Sequence, residues 1–222
     1  KLLKKGGVRL SKVTHDLNDS IRDFNKFVIP QIQKNQMMEG KIIQVESKNP
    51  DELRDALDVL GGIDAWKVSR EHGMQGISSR IQWGKSWDTF TIRKTRHTGI
   101  KTEYAKRNEA ISSGNVLYPT LAIHAYITRR ERDTSRELIS LAIADTNDIF
   151  DLINRGYCFE RENPDDGNIF TIVSWDELVK QNKTIQWWHI DQTHKLRDYS
   201  KMYKKTLRQA KNRSLFEFEG VI

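Results

Sequence analysis

The sequence predicts a mixed α/β fold in which helices flank a central mixed β-sheet. Residues 62–70, 76–83 and 88–96 have the composition of three successive strands, and they are separated only by short turns. A helical pattern over 102–114 and a long apolar strand over 118–128 follow. Short turns make neighbouring strands antiparallel, whereas a helical crossover allows a later strand to run parallel. This order therefore predicts a sheet with both strand directions.

The residues before this region predict two helices and one strand. Apolar residues at helical spacing from Leu17 to Val28 indicate a first helix, which we expect to stop at Pro30. Residues 41–46 resemble a short strand. A second helix is expected to begin at Asn49-Pro50 and to end at two glycines, Gly61 and Gly62.

Alternating strands and helices are predicted for the second half as well. Strands are expected at 138–145 and 168–175, with a helix at 147–156 between them and a short helix opening at Asp176. No linker rich in Pro, Gly or Ser divides the chain. We therefore expect a basic arm and helix over 1–40, an α/β core over 41–192, and a basic helix and tail over 193–222.

Composition excludes several classes of protein. Hydrophobic residues make up 37% of the chain and aromatic residues recur throughout, so a folded core is expected rather than global disorder. No apolar run approaches the roughly 18 residues that cross a bilayer, so no membrane partner is predicted. The single cysteine, Cys158, can form neither an internal disulfide nor a cysteine-based zinc cluster. A cytoplasmic location is the expectation.

The positive charge is concentrated near the C-terminus. Residues 193–213 hold eight basic residues and one acid, so this segment alone carries a charge equal to the +7 of the whole chain. Its helical pattern places an apolar stripe on one side and the cations on the other. A localised basic face is typical of proteins that bind nucleic acid, although a solvated helix with an acidic complement elsewhere is the plain alternative. The nucleic-acid-binding prediction here rests on Lys201, Lys204, Lys205 and Arg208.

The order of elements from about residue 50 to 128 resembles the PD-(D/E)XK nuclease superfamily, which includes restriction enzymes and many phage nucleases. The resemblance rests on this order and on the sequence Gly-Ile-Asp at 62–64, which heads the first strand of a hairpin. It implies a restriction-endonuclease-like αβββαβ core with helical N- and C-terminal extensions. It also implies Mg²⁺-dependent cleavage of DNA, in which carboxylates hold the metal and the metal activates water.

The resemblance assigns roles to individual residues. Asp64 matches the strand aspartate of the family, and either Glu46 or Glu52 matches the upstream acid. The polar face of 76–83 carries Arg80 and Gln82 where the family has (E/Q)-x-K. Gln82 would be a ligand through its carbonyl, and Lys85 or Arg80 would supply the cation.

A second basic cluster follows the three strands. Cationic side chains between 93 and 107, beside the N-terminus of the predicted helix at Thr102, predict phosphate contacts. The residues concerned are Arg93, Lys94, Arg96, Lys101, Lys106 and Arg107.

These observations leave three functions open. The first is a metal-dependent nuclease that acts on nucleic acid, with DNA favoured over RNA. The second is a nucleic-acid-binding protein that retains the fold without the chemistry, which the irregular Arg-x-Gln favours. The third is a phage-type protein that binds a host protein through its basic helix. A homodimer is compatible with each of them.

Overall fold

The computed structural model describes residues 18–33, 38–45, 61–96, 99–115, 117–128, 136–191, 193 and 195–206. The helices are α1 over 18–32, α2 (Glu103–Ser113), α3 (Thr146–Asn154), α4 (Trp175–Lys180) and α5 over 199–206. The strands are β1 (Lys41–Gln44), β2 (Ala65–Ser69), β3 (Gly73–Trp83), β4 (Thr89–Arg93), β5 (Pro119–Ile127), β6 (Leu138–Asp145), β7 (Phe159–Glu162), β8 (Ile169–Ser174), β9 (Ile185–Ile190) and β10 (Leu196–Asp198).

The chain is mixed α/β, as predicted. It divides into two compact units, one made of Lys1–Ser86 with Leu117–Ile139 and the other of Trp87–Val116 with Ser140–Ile222. The division into 1–40, 41–192 and 193–222 stays a prediction.

The first unit is built on a mixed sheet with the strand order β1-β2-β3-β5. β1, β2 and β3 are antiparallel to one another, and β5 runs parallel to β3. Apolar side chains of β3 and β5, including Ile77 and Ile123, are almost fully buried, and Phe24 of α1 is buried as well. β5 is buried along nearly its whole length, as expected for a strand that is covered on both faces.

Gly76 marks an irregularity in the pairing of β3 with β5. The register shifts between Gly76 and Ile77. A Cβ atom on Gly76 would lie 2.9 Å from the carbonyl oxygen of Tyr118 and 3.1 Å from the Cα of Pro119. The parallel pair begins at a close backbone approach that only glycine permits.

The second unit contains two groups of strands. β6, β9 and β10 are neighbours in that order and pair antiparallel. A separate three-stranded antiparallel sheet has the order β4-β8-β7. α2 packs near β4, and α3 and α4 pack on β8.

Helix α2 has the ends that its sequence predicts. The hydroxyl of Thr102 accepts a hydrogen bond from the Ala105 N–H at 3.3 Å, which is the N-cap arrangement. Gly114 ends the helix in the left-handed conformation at φ 68°.

Three predictions of local structure are wrong. The basic helix does not begin at residue 193, because Leu196–Asp198 form β10 and α5 begins at residue 199. The strand at 88–96 does not continue the meander, because β4 pairs with β8 and the antiparallel meander is β1-β2-β3 instead. The first helix does not stop at Pro30. Phe24–Val28 form a π-helical turn in which the Ile29 N–H donates to the Phe24 carbonyl, and Pro30 then lies in the first turn of the α-helical segment Ile29–Ile32. Proline is tolerated there because that position needs no N–H donor.

Candidate functional site

Asp64 lies immediately before β2 and links the three antiparallel strands. Its N–H donates to the Ile77 carbonyl at 2.9 Å, and its own carbonyl accepts the Val45 N–H at 2.9 Å. The side-chain Oδ2 accepts the N–H of Ser79 at 2.5 Å. Asp64 therefore completes the backbone pairing at the end of β2, and its half-buried carboxylate is held against β3.

The Asp64 carboxylate lines a small pocket in the first unit. Gln44, Ala65 and Ser79 line it from the sheet, and Ser20, Ile21 and Phe24 line it from α1. Gln44 also donates to the Asn25 Oδ1 at 2.6 Å, which joins β1 to α1. The lining residues thus include one with a carboxylate, one with an amide and two with hydroxyl groups.

The oxygens of this pocket fit a hard divalent cation only in part. Mg²⁺ is usually bound by one or two carboxylates together with substrate phosphates and water. Across the described ranges, no group of three or more His, Cys, Asp or Glu side chains is placed to hold a metal ion. Glu46 and Glu52, the predicted upstream acids, lie outside those ranges. Asp64 is the carboxylate that the described part of the pocket supplies.

The structure does not bring Gln82 beside Asp64. Side chains alternate along β3, so Arg80 and Gln82 lie on the face opposite to that of Ser79. Gln82 is also three residues beyond Ser79, a displacement of about 10 Å along the strand. Lys85 is exposed and follows the end of β3. The residues predicted to act together in catalysis therefore lie at different positions along β3 and on both of its faces.

Two of the cations predicted to contact phosphate are engaged by acids within the second unit. Lys94 forms an ion pair with Glu160, which raises the pKa of Lys94, and its ammonium lies 5.8 Å from the centroid of the Tyr104 ring. Lys101 pairs with Glu109 at 2.5 Å. These contacts compete with phosphate for both ammonium groups.

Two further cations of that cluster are held by their packing. Arg107 is only 7% exposed, so its guanidinium is poorly placed for a polyanion. The Arg93 guanidinium lies 5.5 Å from the centroid of the Phe170 ring. Arg96 is half-buried after β4, and Lys106 is half-buried within α2.

The described part of the basic C-terminal segment carries exposed cations. α5 begins directly after β10, and it carries Lys201, Lys204 and Lys205. The side chain of Lys201 is 85% exposed, although its ammonium lies 3.3 Å from Asp198. Lys205 is exposed and Lys204 is half-buried, while Arg208 lies outside the described residues. Of the three described lysines on the predicted cationic face, Lys201 and Lys205 are therefore the ones open to solvent.

A histidine–aspartate pair in the second unit escaped the sequence analysis. The Nε2 atom of His189 lies 2.8 Å from Oδ2 of Asp88, although 101 positions separate them. Asp88 has a φ of 50°, an uncommon conformation for a non-glycine residue. Its carbonyl accepts the Trp175 N–H at 2.8 Å, which fixes the turn. No motif of fixed spacing predicts such a pair. The one signal in the sequence was Asp88 itself, an aspartate in the short segment between β3 and β4.

Comparison of the chain with protein-family models, with curated proteins and with solved structures finds no match. Among the residues that the structure describes, no helix has both the length and the apolar character needed to traverse a bilayer.

Proposed function

We propose that the protein binds DNA through the cationic face of α5. The observation that carries this proposal is the accessibility of Lys201 and Lys205 on one short helix. Exposed ammonium groups bind phosphates and release counterions from the nucleic acid, which supplies affinity independent of sequence. The charge of +7 in segment 193–213 favours the same partner.

The contrast with the cations between 93 and 107 supports α5 as the principal contact. Lys94 pairs with Glu160, which is far from it in sequence. Lys101 pairs with Glu109, which lies on the exposed side of α2. Lys201 pairs with Asp198 three residues earlier, but its side chain is 85% exposed, whereas the side chains of Lys94 and Lys101 are 39% and 64% exposed. Of these three ammonium groups, that of Lys201 is therefore the most accessible to a phosphate.

A salt titration with matched variants tests the proposal. The test variant combines Lys201→Gln, Lys204→Gln and Lys205→Gln. The control combines Lys26→Gln, Arg155→Gln and Lys183→Gln, which removes the same charge from cations outside α5 and outside the predicted phosphate-binding cluster. Binding to duplex DNA is followed by gel shift between roughly 50 and 200 mM salt.

The two variants should differ in their salt dependence. The slope of log affinity against log salt falls by about 0.9 for each phosphate contact that is lost, so the test variant should lose up to about 3 from its slope. The control should keep the parent slope. Equal slopes in the two variants contradict a role for α5, and an affinity that is flat in salt indicates a protein partner instead.

Metal-dependent DNA cleavage at Asp64 is the second candidate function. It is favoured by the order β1-β2-β3-β5, with β5 parallel to β3 and with α2 between them along the chain. The parallel pairing of β3 with β5 is a feature of the αβββαβ core that the sequence resemblance implies, whereas β4, the third strand of that predicted core, pairs with β8. Asp64 lies at the head of β2 and lines a pocket, as a metal-binding aspartate of that family would.

Different residues of the chain would bind the metal and stabilise the phosphate at such a site. Asp64 would hold Mg²⁺ together with Glu46 or Glu52, and Arg80 or Lys85 would supply the cation that stabilises the phosphate. The metal, when bound, would activate water and stabilise the leaving oxygen. The displacement of Gln82 from Asp64 favours the alternative in which the protein binds DNA without cleaving it.

Cleavage of plasmid DNA with Mg²⁺ or Mn²⁺ separates these candidates. Asp64→Asn removes the charge but keeps an oxygen that can accept the Ser79 N–H, so the strand end should remain intact. Asp165→Asn, at an exposed turn, is the control. Cleavage lost only in Asp64→Asn supports the site. Cleavage that persists in Asp64→Asn contradicts it, and no cleavage by the parent protein leaves DNA binding as the function.

A further inference from the structure

The three-stranded sheet β4-β8-β7 of the second unit has one buried face and one face that is partly open to solvent. Ile92 and Thr171 belong to the buried face, with exposures of 3% and 1%, and Glu160 is paired with Thr171 on that face. Lys94 forms its ion pair with Glu160 and lies against the ring of Tyr104 in α2. α2 therefore lies on this side of the sheet, and the side chains that alternate with these residues lie on the other side.

Two aromatic rings and two arginines share the open face. The strand register places Phe170 of β8 between Arg93 of β4 and Arg161 of β7. Directly paired residues of antiparallel strands project from the same face with their Cβ atoms about 5 Å apart. The Arg93 guanidinium lies 5.5 Å from the centroid of the Phe170 ring. Phe159 precedes Arg161 by two residues on β7, so these two side chains also project from one face.

β7 carries the most accessible side chains of this face. Phe159 is 54% exposed, and Arg161 is exposed as well. Phe170 and Arg93 are half-buried, and the Glu103 carboxylate accepts the N–H of Arg93 at 3.4 Å. A ligand of the open face would therefore contact Phe159 and Arg161 first, with the Phe170 ring beside them.

The charges of the open face favour an anionic ligand. The two acids of β7, Glu160 and Glu162, alternate with Phe159 and Arg161 and so lie on the opposite face. Arg93 and Arg161 are thus the charged side chains that the three strands contribute to the open face. Proteins bind unpaired nucleotides with this combination, since bases stack on aromatic rings while cations contact the phosphates.

We infer that the open face of the sheet β4-β8-β7 binds single-stranded nucleic acid, with Phe159 as a stacking platform for a base and Arg161 as a phosphate contact. The inference adds a second surface to the proposed binding of DNA by α5, and its argument does not depend on α5. In an intact duplex both sides of each base are covered by neighbouring base pairs, so a duplex cannot stack on Phe159. The open face should therefore prefer a single strand.

Paired binding measurements test the inference. A labelled oligothymidylate of about 15 nucleotides, which spans the usual site sizes, is compared with its duplex by fluorescence anisotropy. The test variant is Phe159→Leu, which keeps an apolar side chain but cannot stack, and Phe159→Tyr keeps the ring. The control is Met74→Ala, which removes an apolar side chain of similar exposure, 62%, from β3 in the first unit.

Phe159→Leu should weaken single-strand binding about 5- to 150-fold, the range that one base–aromatic stack contributes, and should affect duplex binding far less. Phe159→Tyr should remain close to the parent protein, and Met74→Ala should change neither affinity. Equal losses for the single strand and the duplex, or equal losses for the Leu and Tyr variants, overturn the inference. Unchanged single-strand binding in Phe159→Leu also overturns it and points to a protein partner for this face.

The phosphate contact is tested by the salt dependence of single-strand binding. Arg161→Gln should lower the slope of log affinity against log salt by about 0.7 for oligothymidylate, the value for one phosphate contact to a single strand. Lys183→Gln is the control, because Lys183 pairs with Asp151 on another part of the same unit. Equal slopes in these two variants overturn the role of Arg161.

A further measurement uses the unsubstituted protein and does not depend on how any variant folds. An oligomer of abasic sites carries the same phosphates as oligothymidylate but has no base to stack. It should bind about 5- to 150-fold more weakly, and equal binding overturns the inference. If the α5 lysine variant binds duplex DNA as the parent does, the proposed function fails. If that variant loses duplex affinity while base removal has no effect, the inference for the sheet alone fails.

Discussion

Asp23 is the centre of a buried charge cluster that attaches α1 to the sheet of the first unit. Its side chain is 0% exposed, and it forms an ion pair with Arg136, whose side chain is 4% exposed. The indole N–H of Trp83, at the end of β3, donates to the same carboxylate at 2.8 Å. α1 supplies one wall of the Asp64 pocket, so this cluster also holds that wall in position.

Replacing Asp23 with Asn should lower the free energy of unfolding by about 3–5 kcal/mol. The variant leaves the Arg136 guanidinium buried without its counter-charge, and breaking a buried pair from one side has a penalty of that size. Burial already lowers the pKa of Arg136, which shows that its charge is poorly solvated. The Asn amide oxygen can still accept from Trp83, so the change isolates the charge.

Urea unfolding followed by tryptophan fluorescence and circular dichroism measures this effect. Glu109→Gln on α2 is the control, because Glu109 pairs with Lys101 and both side chains are more than 60% exposed. That change should lower stability by about 1 kcal/mol or less. Adding Arg136→Met to Asp23→Asn should restore part of the loss, since no unpaired charge then remains. A loss below about 1 kcal/mol for Asp23→Asn, or additive effects in the double variant, would refute the reasoning.

Three further predictions concern other parts of the chain. Gly76→Ala should lower unfolding free energy by about 1–3 kcal/mol, because its Cβ would meet the β5 backbone; an unchanged urea midpoint would contradict that close approach. Thr102→Ala should lower thermal stability by about 1 kcal/mol through loss of the α2 N-cap, whereas Thr102→Ser should preserve it. Hydrogen bonds from Thr193 and Arg197 lower the pKa of Asp191, so its stabilising contribution is present above the unfolded pKa of about 3.9 and is lost as the pH falls further. Asp191→Asn should therefore flatten the acid limb of stability against pH, and superimposable limbs would argue against this assignment.

Local patterns in the sequence predicted most of the elements because each pattern is set by near neighbours. The caps of α2 at Thr102 and Gly114 follow from two residues whose side-chain and backbone preferences are strong. The long strand at 119–127 follows from an apolar run bounded by polar residues. His124, in the same strand, is buried as well, at 6% exposure.

Those local patterns could not predict which strands pair or which charged side chains contact each other. β4 has the alternation of a meander strand, but alternation fixes which face is buried and not which strand lies alongside. Lys94 and Glu160 are 66 residues apart, so the basic cluster around Lys94 looked unopposed in sequence. Asp88 and His189 are also far apart in sequence, so their contact could be recognised only from the position of β9 in the structure.

The Asp64 site shows a different limit. The sequence placed an aspartate at the head of a strand, and the structure puts Asp64 there, bonded to Ser79. Which residue of β3 faces it depends on the register, and a shift of one residue reverses the faces. The observed register aligns Ala65 with Ile77, so Gln82 lies well beyond Asp64.

The π-helical turn at Phe24–Val28 makes the orientation of α1 depend on a single inserted position. An α-helix advances by about 100° per residue, so removing one residue from this turn would rotate everything that precedes it by about that angle. Asp23 would then swing away from Trp83 and Arg136. The length of this turn, more than the identity of its side chains, thus sets the angular alignment of the helix with the strands beneath it.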